Sequence, residues 1–223
     1  MVLHDFWTFF IWSTVAGLAI IGIYQLFLLI LRARGVFVTR TKFGLTMIFD
    51  SEDADGTPIR LLNVNGTFQS VSYIAPELRF ELCIHYHRMM AKVIQQVSAR
   101  GHVVVMGGGG FSLPKHLATH MKGGVIDAIE IDPKIVSLAR EHFFLDEALA
   151  AASSELRIVE DDAWKVLQDA DASSINVLVN EVFAGRKSLG PLGTAAGAQT
   201  VKEKLAADGV YLADVRCPLE GRG

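Results

Sequence analysis

Residues 102–110, His-Val-Val-Val-Met-Gly-Gly-Gly-Gly, and residues 125–133, Val-Ile-Asp-Ala-Ile-Glu-Ile-Asp-Pro, decide the fold of this chain. The first apolar run breaks into glycines, and the second ends in carboxylates about twenty residues on, which is the spacing of a nucleotide-binding βαβ unit. Glycines let the backbone turn at the end of the strand and let a ligand approach, and an acid at the next strand end accepts hydrogen bonds from a ribose diol. A merely flexible turn is the alternative for the glycines. The candidate cofactor-binding residues here are Gly107, Gly108, Gly109 and Glu130.

The pattern predicts an adenosyl ligand rather than a dinucleotide. Ser112 stands where a dinucleotide fingerprint has its third glycine, and Pro114 is expected to delay the next helix. Residues 156–164 predict a further strand ending in acids, of which Asp161 and Asp162 are suited to accept from the exocyclic amine of adenine. A glycine loop, a ribose acid and an adenine acid in this order describe an adenosyl-sulfonium site. Capping of the following helix is the alternative for one of the two aspartates.

The amino-terminal segment predicts a membrane anchor over residues 1–34. Phe6 to Leu31 carries no charge and exceeds the roughly 20 residues that cross a bilayer. A cleavable signal peptide is disfavoured, because Asp5 precedes the run, the run is too long and no small-x-small site follows. A buried core helix is disfavoured by apolar residues all round and by aromatic residues near the ends, namely Trp7, Trp12 and Tyr24.

Charge and cysteine usage predict a cytoplasmic soluble part. The carboxyl-terminal flank of the apolar run is basic and the other flank is not, so the positive-inside rule places the amino terminus outside. Cys83 and Cys217 form no zinc or disulfide spacing, which suits a reducing compartment. A net charge of -3 gives no indication of nucleic acid binding. The basic flank consists of Arg32, Arg34, Arg40 and Lys42.

Residues 35–75 predict a small β-hairpin region, with strands at Gly35–Thr41, Leu45–Phe49 and Ile59–Val64. The acidic turn at residues 50–56 is interpreted as a solvated hairpin turn. An EF-hand register is excluded, since it would put Leu62 where the bidentate glutamate belongs.

Pro76 to Ser98 is predicted to be one helix, with Leu82, Val93 and Val97 on its apolar side. Its two histidines, His85 and His87, are two residues apart and do not share a helix face, which argues against a metal pair. No metal is expected.

Several segments carry a family resemblance in their order along the chain: Asn65–Ser70, Glu81–His85, Gly107–Gly110, Ile129–Pro133, Asp162–Ala163, Val177–Gly185 and Lys204–Leu212. They resemble the Asp-Gly-x-x-Gln, Glu-x-x-x-His, Gly-Gly-Gly-Asp, ribose-binding, adenine-binding, Asp-x-Phe-x-Gly and Leu-x-x-Gly-Val segments of the spermidine synthase (polyamine aminopropyltransferase) family and its spermidine-synthase-like relatives. The resemblance runs from about Val38 to Val215. It implies that Gln69 contributes to the donor site and that Tyr73 and His85 line the amine side.

The chain departs from the family where the chemistry occurs. The acid of the glycine loop is replaced by Gly110, and the acid after the fourth strand is Glu181, with Asn180 beside it. Arg79 stands where the family often has tyrosine. The sequence ends soon after a fifth strand, Gly209–Arg216, without the last two strands usual for this fold. This indicates a truncated frame or an edge completed by a partner, such as a second copy.

These observations predict an α/β protein with a Rossmann-like, S-adenosylmethionine-dependent methyltransferase-type open sheet of about five strands over residues 76–223, preceded by a transmembrane helix and the small β region. Three functions stay open. The first is aminopropyl transfer from decarboxylated S-adenosylmethionine to a small-molecule amine, with Glu181 as the catalytic base. The second is methyl transfer from S-adenosylmethionine. The third is a non-catalytic nucleoside-binding or partner-binding membrane protein.

Overall fold

The computed structural model describes residues 2–97, 100–182 and 190–215, which form a long helix followed by two β-sheets. Helix α1 is Val2–Ala33. Its part Trp7–Ala33 has a mean hydropathy of 2.3 over its most apolar window, and none of that window is buried. By length and composition, α1 is therefore able to cross a membrane.

A glycine ends α1 in a well-defined turn. Gly35 has a φ of 78°, and its N–H donates to the carbonyl of Arg32 at 3.0 Å. The N–H of Val36 donates to the carbonyl of Leu31 at 3.0 Å. This pair of bonds is the Schellman motif, which satisfies the last carbonyls of a helix and needs a residue with positive φ.

The first sheet, called the small sheet, is antiparallel with its strands in chain order. Its strands are β1 (Phe37–Thr41), β2 (Gly44–Glu52), β3 (Pro58–Val64) and β4 (Thr67–Tyr73). The three predicted strands are confirmed, and β4 was not predicted as a strand. The acidic turn is a closed hairpin turn, since the Asp53 carboxylate accepts from the N–H groups of Asp55 and Thr57.

The predicted helix from Pro76 to Ser98 is wrong in its first half. Residues Pro76–Leu78 form one 3₁₀ turn, and helix α2 begins only at His85 and is described to Val97. A side chain donates to backbone carbonyls that would accept backbone N–H groups in a continuous helix. Arg88 donates to the carbonyls of Leu82 and Cys83.

The predicted apolar face of this helix is also wrong. Val97 is 45% exposed, and Leu82 is buried but lies before α2 begins. The buried side of α2 consists of His87, Met90, Ala91 and Ile94.

The second sheet, called the main sheet, is parallel, with the strand order β7-β6-β5-β8-β9. Its strands are β5 (His102–Met106), β6 (Val125–Ile129), β7 (Glu155–Val159), β8 (Ile175–Asn180) and β9 (Leu205–Ala213). The chain order thus reverses between β5 and β8. Ligands of such sheets bind at this switch point, outside the carboxyl ends of the strands.

Helices cover both faces of the main sheet. They are α3 (Ser112–His120), α4 (Pro133–His142), α5 (Leu145–Ala151), α6 (Ala163–Asp169) and α7 (Ala195–Lys204), with a 3₁₀ turn at Gly190–Gly193. Val103 and Val105 of β5 pack in one apolar cluster with α2 and α3, while Val104 and Met106 pack in another with α6 and α7. This alternation along one strand is the doubly wound arrangement that the sequence predicts.

Two sequence expectations about helix and strand ends are corrected. Pro114 does not delay α3, which begins at Ser112, because proline is tolerated in the first turn, where its missing N–H has no helical partner. Strand β9 begins at Leu205 rather than Gly209. Arg216 and Cys217, like the end of the Val177–Gly185 segment, lie outside the described residues.

The small sheet is fixed against the main sheet close to the predicted ligand edge. Ile48 and Leu62 pack with Leu138 and Phe143 in a shared apolar cluster. Asp132, which is 4% exposed, accepts from the backbone N–H of Lys42 at 2.6 Å in the β1–β2 turn. The same side chain caps α4 through the N–H of Lys134. The residues after β6 are therefore bonded to both sheets.

Candidate active site at the glycine loop

The glycine loop, Gly107–Gly110, follows β5 at the switch point of the main sheet. Gly107 has a φ of 102°, and a Cβ there would lie 3.1 Å from the backbone carbonyl of Glu181. A Cβ on Gly108 would lie 2.5 Å from the ring of Phe111. Both glycines are therefore required by the packing of the loop, in addition to any approach of a ligand.

The Glu130 carboxylate holds the glycine loop. One oxygen accepts from the N–H groups of Gly108 at 3.0 Å and Gly109 at 3.2 Å, and the other accepts from the N–H of Asp132 at 3.0 Å. Glu130 is 8% exposed. The structure thus brings this acid against the glycines, as their spacing predicts, and gives it a structural role in the loop. Its bond to a ribose stays a prediction.

Gly110 is enclosed by β4 of the small sheet and by the end of α4. A Cβ there would lie 2.6 Å from Ser70 Oγ and 3.0 Å from the Phe143 ring. An aspartate at this position would need both neighbours to move. The family's acid at this position is thus absent, and Ser70 occupies the space that its side chain would need.

A buried polar network lies beneath Gly110, and the sequence alone did not indicate it. The Ser112 hydroxyl lies 3.0 Å from Ser70 Oγ and donates to the Val71 carbonyl at 2.7 Å. The Lys115 ammonium donates to Ser72 Oγ at 3.1 Å and to the Phe143 carbonyl. Lys115 is 1% exposed, and its burial lowers its pKa to about 7. The network bonds β4 to α3 directly beside the loop.

Glu181 lies just after β8, beside the glycine loop. Its N–H donates to the carbonyl of Met106, the last residue of β5. Its carboxylate accepts from Nε2 of His87 at 2.5 Å, and the two side chains are 7% and 14% exposed. Nδ1 of His87 is buried without a hydrogen-bond partner among the described residues. The structure therefore forms a buried pair of an imidazole and a carboxylate at the loop.

His87 is a site residue that the sequence analysis missed in favour of His85. His85 is exposed at the first position of α2. The missed signal was the helical spacing of His87 with Met90, Ala91 and Ile94, which places this histidine on the buried side. The role of His85 on the amine side stays a prediction.

Asn180 braces the strand end that carries Glu181. It is 1% exposed, donates to the Tyr211 hydroxyl at 3.2 Å and accepts from the N–H of Val182 at 3.1 Å. The residue is thus a buried support between β8 and β9.

The two aspartates after β7 have different roles. Asp162 caps α6, accepting from the N–H groups of Trp164 and Lys165. Asp161 is bonded to the Lys165 ammonium at 2.8 Å, and this contact holds the pKa of Asp161 below its ordinary value. The capping alternative is therefore confirmed for Asp162. Asp161 is left as the candidate for the adenine amine, and that role stays a prediction.

The remaining predicted site residues lie on or beside β4. Gln69 is exposed, and its backbone carbonyl lies 3.3 Å from where a Cβ on Gly109 would stand. Tyr73 is 9% exposed, its hydroxyl accepts from Arg88 at 3.3 Å, and burial raises its pKa. The structure thus brings Gln69 to the glycine loop, and it places the Tyr73 hydroxyl beside α2.

The strand order of the main sheet, with helices on both faces, defines a Rossmann-like fold of the methyltransferase type. The glycine loop and the acids around it lie at the switch point of this sheet. Residues 83–222 match the spermine/spermidine synthase domain family. The chain belongs to this family. Comparison with curated protein sequences gave no significant match.

Solved structures of the same fold include two spermidine synthases with named sources. The probable spermidine synthase from Corynebacterium glutamicum has a TM-score of 0.63 and 22% identity, over 79% of this chain and 62% of that one. The spermidine synthase from Thermotoga maritima has a TM-score of 0.60 and 18% identity, over 82% of this chain and 58% of that one.

A spermidine synthase in complex with the transition state analogue AdoDATO is similar at a TM-score of 0.59 and 18% identity, over 82% of this chain and 57% of that one. The chain thus spans about six tenths of the length of these synthases.

Proposed function

We propose that this chain is an aminopropyltransferase-type enzyme that binds decarboxylated S-adenosylmethionine at the glycine loop and transfers its aminopropyl group to a small amine. The observation that carries the proposal is the Glu181 carboxylate, held at 2.5 Å by Nε2 of His87, in a residue whose backbone lies against Gly107. A fixed, nearly buried acid next to a nucleoside-binding loop is suited to orient an amine against a bound donor.

The donor would lie across the carboxyl ends of β5, β6 and β7. The glycine loop would take the sulfonium side of the adenosine, Glu130 the ribose hydroxyls and Asp161 the adenine amine. Glu130 already accepts from three N–H groups, and a carboxylate has about four acceptor positions. A ribose hydroxyl would therefore take the remaining position or replace one of the loop bonds.

The transfer step needs an unprotonated amine. The amine nitrogen uses its lone pair to form a bond to the aminopropyl carbon next to sulfur. The carbon–sulfur bond breaks, and its electrons neutralise the sulfonium to give a thioether. The proton released by the amine passes to the Glu181 carboxylate, which His87 keeps in one orientation through the bond from Nε2.

The test is product formation from radiolabelled decarboxylated S-adenosylmethionine with putrescine and other amines. Glu181→Gln keeps the size of the side chain and removes the base, so we expect donor binding to persist and transfer to fall by about a hundredfold or more. Glu155→Gln, an exposed acid at the amino-terminal end of β7 and therefore away from the donor, is the matched control and is expected to keep the wild-type rate. Equal rates in wild type and Glu181→Gln would place the base elsewhere.

Methyl transfer is the second candidate, and the enclosure of Gly110 favours it. The missing acid removes a group that would be specific for the amino end of the aminopropyl donor. Calorimetry with S-adenosylmethionine, decarboxylated S-adenosylmethionine and methylthioadenosine separates the two donors. Donor binding without transfer of either group to any amine would favour the third function, a nucleoside-binding or partner-binding protein.

We also propose that α1 anchors the protein in a membrane as a single pass, with its amino terminus outside and the two sheets in the cytoplasm. The length and hydropathy of Trp7–Ala33 support the anchor, and the basic residues that follow Leu31 support the orientation.

A further inference from the structure

A cluster of metal-ligating side chains lies outside the site described above. His116 and His120 are one turn apart on α3, and their rings stack with centroids 4.1 Å apart. Glu81 approaches them from the segment before α2. One ligand atom from each of the three side chains lies within 4.8 Å of the others. The cluster therefore offers two imidazoles and one carboxylate on a single surface.

Hydrogen bonds to the backbone orient both imidazoles. Nδ1 of His116 donates to the Phe80 carbonyl at 2.8 Å, and Nδ1 of His120 donates to the His116 carbonyl at 2.9 Å. A carbonyl only accepts, so each ring carries a proton on Nδ1, and a neutral ring would then have its lone pair on Nε2. Histidines that bind metals are usually held in this manner, with the other ring N–H bonded to a carbonyl or carboxylate.

The carboxylate of Glu81 lies 3.0 Å from Nε2 of His120. With the His120 proton on Nδ1, two acceptors face each other at this distance and repel unless a proton or a metal ion lies between them. A proton would join only His120 and Glu81, whereas a metal ion would also bind His116.

To hold an ion, the three ligand atoms, which lie within 4.8 Å of one another, must move closer and the two stacked rings must rotate. Tetrahedral zinc has ligand distances of about 2.0–2.2 Å, which places its ligands about 3.3–3.6 Å apart. The side chains of His120 and Glu81 are 36% and 46% exposed, so the surrounding solvent leaves room for this movement. The exposure also leaves a fourth position for water.

We propose that Glu81, His116 and His120 form a binding site for a divalent transition metal of the zinc class. Imidazole nitrogen with one carboxylate oxygen suits zinc, cobalt or nickel and disfavours magnesium or calcium. The ion would join the segment before α2 to the helix that follows the glycine loop. It would act there as a clamp, separate from the proposed transfer chemistry.

The experiment uses the full chain in detergent, prepared without a histidine tag. Zinc binding is measured by calorimetry, and cobalt is used as a coloured probe whose visible absorption reports four-coordinate binding. We expect one zinc ion per chain, no magnesium binding and a raised Tm in the presence of zinc.

Substitutions at the ligands identify the site. His120→Gln is expected to abolish the cobalt bands and the Tm shift, and Glu81→Gln to weaken zinc at least tenfold. Glu77→Gln, an exposed acid on the same segment, is the matched control and is expected to bind as the wild type does. Both ligand positions are partly exposed, and a wild-type melting temperature in chelator shows that each variant is folded. Equal zinc affinity in wild type and His120→Gln, or no zinc binding at micromolar concentration, overturns the proposal.

Discussion

Replacing Glu130 by glutamine tests whether this carboxylate holds the glycine loop. The glutamine has one oxygen, which keeps the two bonds from Gly108 and Gly109 only if its NH₂ group faces the N–H of Asp132. One charge-assisted bond is then lost and a buried donor is left unpaired. Each effect costs about 1 to 3 kcal/mol, and partial relaxation reduces the sum. We expect Glu130→Gln to lower the free energy of unfolding by about 2 to 3 kcal/mol.

The assay is urea unfolding of the full chain in detergent at neutral pH, followed by tryptophan fluorescence, with Glu160→Gln as the control. The control acid is exposed, so its substitution is expected to change the free energy of unfolding by less than about 0.5 kcal/mol. Equal stability of Glu130→Gln and wild type would refute the structural role. Adenosyl affinity is measured in parallel, and Glu130→Ala is expected to weaken it by about 2 to 3 kcal/mol if Glu130 also binds the ribose.

Three further predictions concern packing, pH and topology. Gly110→Ala is expected to destabilise the fold by about 1 to 3 kcal/mol, because its Cβ would lie 2.6 Å from Ser70 Oγ. Adding Ser70→Gly to this variant should recover part of the lost stability. Equal urea unfolding midpoints of Gly110→Ala and wild type would contradict the prediction. Burial lowers the pKa of Lys115 to about 7 from 10.5, so between these values the unfolded chain binds more protons and stability rises with pH. From pH 7.5 to 9.5, the free energy of unfolding of wild type should therefore rise by up to about 1.4 kcal/mol per pH unit relative to that of Lys115→Met, measured by urea unfolding. A difference between the two proteins that stays constant with pH would show that this lysine does not titrate in that range. A reporter fused after Gly223 should work only if it is active in the cytoplasm, and activity of a periplasm-only reporter would reject the proposed orientation.

The apolar strands of the main sheet were predictable because each is a short run that ends in glycine or acid. Strand β4 was not, because the face that it turns to α3 is polar, although Val71 and Tyr73 on its other face are buried in an apolar cluster. Ser70 and Ser72 are 6% and 2% exposed, and their hydroxyls bond to Ser112 and Lys115. A search for alternating apolar residues does not detect a strand whose inward side chains are serines.

The helix α2 shows a second limit of sequence patterns. Leu82 fits the apolar spacing, yet the chain around it is held open by side-chain bonds from α2 and α3. His116 of α3 bonds the Phe80 carbonyl, and Arg88 bonds the Leu82 carbonyl. The bond from His116 depends on the tertiary fold and has no local signature in the sequence. Glu181 was predicted from the end of its strand, whereas its partner His87 was missed although its helical spacing with Met90, Ala91 and Ile94 indicates a buried position.

The junction at Gly35 bears on where the proposed enzyme would meet its substrates. The Schellman turn leaves no free linker between α1 and β1, which begins at Phe37. With α1 in a bilayer, the small sheet would stand directly on the headgroups, and the bond from Lys42 to Asp132 would keep the glycine loop at a set height above them. The enzyme would then sample the thin layer of solution next to the lipid, where an anionic leaflet concentrates cations. Polyamines are cations, and such a layer would present them to Glu181 at a concentration above that of the bulk cytoplasm.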